Sequence, residues 1–256
     1  MPIEEWREKH DWLTIVAIAA VAFVTADLSH EGLGHGIAAY LVGARRIVLS
    51  YTYLSSDIQS RMISVAGPAV NLLEGFAALF CLRRWRMGST ATLFTFLLVM
   101  FNLLDAAAYL VYSGVLNSGD LAVVIAGIQQ SQIIRLGMDL GGLVLYGAFV
   151  FLGARELPFF QAPHAPMTNI SYVTPIAINT AAALLNPLGL KYFLISALPA
   201  TLGANAGLLA MPRLAVRNAA RGGTLAIRRS YAWICVGLVT TALFVFVVGP
   251  GIAFKP

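Results

Sequence analysis

Cysteine and charge are both scarce in this chain. The two cysteines, Cys81 and Cys235, lie in apolar runs. Two such residues exclude a disulfide framework and a thiolate zinc cluster. Charged residues make up 11% of the 256 positions, where a soluble domain carries about 25%. So few charges cannot cover a soluble globular surface. Acids are the rarer sign, 12 against 17 Lys+Arg, for a net charge of +5. In a chain this apolar such an excess sits in loops and sets orientation, so no nucleic-acid partner is expected. Internal repeats and a soluble second domain are also missing.

What is abundant is apolar sequence. Hydrophobic residues reach 59%, mean hydropathy is +0.78, and several runs approach the roughly 20 residues that a bilayer-crossing helix needs. The expected fold is an all-α polytopic membrane protein with six to seven transmembrane helices. Spans are predicted at 12–44, 62–82, 90–113, 132–154, 171–211 (two spans or a broken one, interrupted by Asn186-Pro187-Leu188-Gly189 and Lys191) and 231–249. A short apolar piece, 121–128, lies between the third and fourth. The β-branched and aromatic stretch at 45–61 suits a strand or hairpin at the interface, and 157–167 is too rich in proline for regular helix. Residues 1–11 form an N-terminal interfacial segment. The opening MPIEEWREKHDW mixes acids and bases ahead of a run too long for a signal h-region, so no cleavable leader is expected. With the N-terminus cytoplasmic, Arg83, Arg84, Arg86, Arg155 and the arginines at 213, 217, 221, 228 and 229 fall inside. An integral protein of the plasma (inner) membrane is the expectation.

Within the first span stands DLSHEGLGHG, residues 27–36. Burying ionisable groups in hydrocarbon costs at least about 2.5–3.5 kcal/mol each, so such residues mark function. Asp27, His30, Glu31 and His35 are the residue types of a zinc site, with imidazoles as ligands and a carboxylate as ligand or base. The usual H-E-x-x-H puts its histidines one helical turn apart. Here one extra residue sets His30 and His35 at i and i+5, about 140° apart on a regular helix. Gly32, Gly34 and Gly36 weaken the helix, and a π-bulge would absorb the extra residue and restore a common face. Asp27, Glu31 and His35, at i, i+4 and i+8, share a face without distortion and form a rival metal set.

SHEGLGHGIAAYLVGAR followed by a strand-like segment and by SVAGPAVNLLEGFAAL (64–79) resembles the core of site-2-protease-type (M50-like) intramembrane zinc metalloproteases. The likeness covers about residues 12–154, the metalloprotease-like membrane core; the helices of 155–256 carry no assignable motif. The resemblance implies Zn2+ held by His30 and His35, Glu31 as general base, a supporting motif of Gly67, Pro68 and Asn71, and cleavage of membrane-embedded substrate segments. The family's third motif, an Asn-Pro with a downstream Asp ligand, departs here: FNLLDAAAYLVYSGVLNSGD keeps Asn102, lacks the proline, and offers Asp105 and Asp120. Asp120 is preferred, because it follows Ser118-Gly119 at a helix start on the side of the bilayer where residue 30 is expected. Asp105 and Asp27 are substitutes. Arg135 and Asp139, at i and i+4, are expected to pair. Residues 47–54 would pair with an extended substrate. A catalytically inactive metal-binding or regulatory homologue is the alternative function, and a transporter or haem protein is a third.

Overall fold

The computed structural model describes residues 10–215 and 225–255. Most of 1–11, together with Arg217 and Arg221, lies outside the described residues. The structure is mostly helical. Its first helix, α1 (Trp12–Leu41), starts at the N-cap Asp11, whose carboxylate accepts from Thr14 N at 2.9 Å and Thr14 Oγ1 at 2.8 Å. The hairpin of β1 (Ile47–Leu49) and β2 (Leu54–Ser56) comes next, then α2 (Arg61–Arg84) and α3 (Ser89–Leu116). A short α4 (Asp120–Ile125) leads to α5 (Ser131–Glu156). After the connector come α6 (Ala165–Ala183), the broken α7 (189–205) and α8 (Gly207–Ala215). The last span is α9 (Tyr231–Val248), and β3 (Ile252–Phe254) ends the described chain.

Among the described residues, five helices are long and apolar enough to cross a membrane: α1, α2, α3, α5 extended to Phe159, and α9. The additional spans expected over 171–211 are not single long helices. Asn186-Pro187-Leu188-Gly189 makes a turn after α6, and α7 is itself broken by a π segment at Phe193–Ala197 and by Pro199. Helices α1 and α3 form the centre, 61% buried over their most apolar windows, against 22% for α5 and α9. Phe23, Phe96, Met100, Leu104, Leu208 and Phe244 interlock there.

Arginines tie one end of the bundle together. At one end Arg83 donates to the buried Glu156 carboxylate through Nε at 2.8 Å and Nη2 at 2.5 Å. Ile227 N donates to His10 Nδ1 at 3.2 Å, and Arg229 meets Asp11 at 3.4 Å. The arginines at 83, 155, 228 and 229 therefore share a side. The sheet caps the other end in the order β2-β1-β3. The expected hairpin is present, and an unexpected strand joins it: β3 pairs antiparallel with β1, Leu49 opposite Ile252. Both edges of β1 are thus occupied, so the idea that 47–54 as a whole receives a substrate strand reduces to the outer edge of β2.

Candidate metal centre

From Ser29 to Gly36 α1 runs as a π-helix. Its i→i+5 bonding carries His35 around nearly one turn from His30, and the two rings meet edge to face with centroids 4.8 Å apart. Close packing explains the glycines better than flexibility alone. A Cβ on Gly34 would stand 2.6 Å from Gly67 Cα, and one on Gly67 would stand 2.7 Å from His30 Nε2 and overlap His35 Nε2. Gly67-Pro68 therefore lets α2 pass directly beside the imidazoles. Gly32, by contrast, faces open space.

Asp120 arrives from the far side of the chain. Gly119, at φ +81, turns the backbone into α4 in a conformation that favours glycine. Arg61 Nη2, from the start of α2, donates to Ala126 O at 2.7 Å and fastens the end of α4. Asp120 Oδ2 then lies 3.4 Å from His30 Nε2 and 3.2 Å from His35 Nε2, while the two nitrogens are 3.1 Å apart. Bonds of about 2.0–2.1 Å to a tetrahedral ion imply ligand spacings of about 3.3 Å. The triangle matches that size, and these three buried or half-buried groups are able to hold a metal ion. His35 Nδ1 is 2.6 Å from Ile63 O; its N–H donating there leaves Nε2 as a lone-pair donor, the usual outer support of a ligand histidine.

The other candidates occupy distinct places. Glu31 is buried beside the triangle, and its Oε2 has no hydrogen-bond partner. Asp105 is outside the triangle: its Oδ2 is 3.9 Å from His30 Nδ1 and accepts from Asn71 Nδ2 at 2.7 Å. Asp27 does not join either, because the π turn rotates His35 away from the regular i, i+4, i+8 face. Asn102 is buried one turn from Asp105 and donates to Leu98 O at 2.9 Å; it does not line the cavities at the site. Arg135 is not paired with Asp139 as expected. Its guanidinium donates to Gly114 O at 2.6 Å and Val115 O at 3.0 Å, capping the bare carbonyls at the end of α3.

Two cavities adjoin the site. One of about 170 Å³ is lined by Glu31, His35, Leu54, Asp105, Tyr109 and Asp120, among others. Another, of about 60 Å³, lies on the inner side with Asp27, Glu31, Asn71, Asn179 and Thr201 in its wall. Neither wall contains Lys or Arg. The sequence reading missed Tyr109, whose ring stacks on His30 at 5.0 Å and 21°. A signal existed: Asp105, Tyr109 and Tyr112 recur at helical spacing on α3. Asn179 and Thr201 had none, being polar residues in spans without a motif. Comparison of the chain with family models, with characterised proteins and with solved structures returned no match.

Proposed function

We propose that this chain is an intramembrane zinc metalloprotease of the site-2-protease type, acting on membrane-embedded segments of other proteins. The observation that carries the reading is the triangle of His30, His35 and Asp120 with an unpartnered Glu31 beside it, and with His35, Asp120 and Glu31 facing one cavity. Zinc is the ion chosen because two imidazoles and one carboxylate with an open fourth position form the donor set of catalytic zinc. Zinc in that position supplies Lewis acidity toward a water and a carbonyl oxygen.

The rest of the chemistry belongs to the chain. Glu31 takes a proton from water and returns it to the leaving amine. His35 is oriented by Ile63 O, and His30 by its stack on Tyr109. A substrate must be extended, since a helix hides its carbonyls in hydrogen bonds. The outer edge of β2, whose Leu54 lines the larger cavity, is placed to receive such a strand by edge addition.

Cleavage of a co-expressed membrane substrate tests the assignment. Glu31→Gln is expected to lower the rate about 10²–10⁴-fold with one equivalent of zinc retained. Undiminished cleavage by that variant removes Glu31 as the base. Zinc bound by a wild-type protein that cleaves no membrane segment favours the inactive homologue instead.

A further inference from the structure

The inner cavity contains groups that the proposed reaction does not use. Asn71 and Asn179 are 2% and 3% exposed, and the Oδ1 of each has no hydrogen-bond partner. Each amide nitrogen already donates once: Asn71 Nδ2 to Asp105 Oδ2 at 2.7 Å, and Asn179 Nδ2 to Thr201 Oγ1 at 2.8 Å. Thr201 in turn donates its hydroxyl to Ala197 O at 2.8 Å. That proton direction fixes which end of the Asn179 amide is oxygen. Asp27 Oδ2 and Glu31 Oε2 are buried and unpartnered as well. The wall thus offers acceptor oxygens, while one N–H of each amide and the Thr201 hydroxyl are already engaged.

Charge is unbalanced in the same sense. Asp27, Glu31, Asp105 and Asp120 line the two cavities, and no Lys or Arg does. On the zinc reading, a dication leaves two negative charges uncompensated in a low-dielectric interior, a costly arrangement. Protonating Asp27 would remove one charge and supply one O–H donor, leaving one amide oxygen unsatisfied and one surplus charge. Water would satisfy the amides but leaves the charge. A cation answers both demands, and about 60 Å³ exceeds the roughly 10–15 Å³ that one water needs.

We propose that the inner cavity is a second cation site, taking a hard, oxygen-seeking ion of the sodium or calcium class through Asp27, Asn71 and Asn179. All-oxygen donor sets select such ions over zinc. The charge argument rests on the zinc reading; the amide argument does not.

The test uses the purified full chain in lipid nanodiscs, with zinc content measured on each sample. Thermal unfolding is followed in choline chloride while NaCl or CaCl2 replaces it at constant ionic strength. A saturable rise in Tm with one of these ions, absent in choline, is expected and identifies the ion. Asp27→Asn weakens half-saturation at least about tenfold, and Asn179→Ser, which keeps the zinc ligands and the carboxylates, weakens it too. A Tm that neither ion moves beyond the choline control overturns the site, as does a wild-type response in both variants. Zinc stoichiometry separates the two ideas. A cation response in wild type that takes up no zinc even when zinc is supplied supports this site and sinks the zinc reading, and a missing response at one equivalent of zinc sinks this site alone.

Discussion

His30 and His35 are held by different means, and this difference governs how single residues affect the site. The Nδ1 of His35 is fixed by a backbone carbonyl, whereas that of His30 has no hydrogen-bond partner and its ring relies on Tyr109 and on the surface left bare by Gly67. Gly67→Ala and Gly34→Ala are expected to weaken zinc binding about 10–100-fold, the usual range for groups that orient ligands. Gly32→Ala, facing open space, should leave it unchanged. Competition against a zinc chelator measures all three, and equal affinities throughout would mean that close packing of α2 does not shape the site. That His30, Glu31 and His35 mark a site was legible in the sequence, because such residue types are expensive in lipid. Tyr109 left only the weaker signal of its helical spacing from Asp105, since one tyrosine among apolar residues carries no such penalty.

Among the elements, the π segment does more than bring two rings together. It also sets the rotation of residues 37–41, whose Ala38 and Ala39 pack with Ala44, Ile47 and Ile63 beneath the sheet. Deleting Leu33 would restore the regular H-E-x-x-H spacing but turn that last stretch by about 100°. The expected result is a lower Tm and lost cleavage, even though the histidines keep one face. A melt unchanged by the deletion would show that the extra residue is dispensable. The connector makes a separate prediction. Burial pushes His164 below its ordinary value of 6.5, and its hydrogen bond to Phe160 O pulls part of the way back. The unfolded chain then binds the proton more readily, so stability should fall as pH drops below about 6.5. His164→Gln should flatten that slope in melts taken across the range.

For the molecule as a whole, stability rests on ties between distant segments. Arg83→Ala strands the buried Glu156 carboxylate and is expected to cost about 1–3 kcal/mol, read from melts in nanodiscs; the double variant with Glu156→Leu should recover part of it. Loading zinc to about a hundred times its Kd should add about 2.7 kcal/mol, lost again on chelation.

Hydropathy, the cost of buried charge and the one-residue excess between His30 and His35 determined the membrane-type helical architecture, the position of the site and its need for a distorted helix. These are properties of neighbours along the chain, so the sequence alone carries them. Which aspartate closes the triangle, that β3 covers β1, and that Asn179 and Thr201 wall an inner chamber were decided by packing. They depend on contacts between segments many tens of residues apart, and no local pattern encodes the path by which those segments meet.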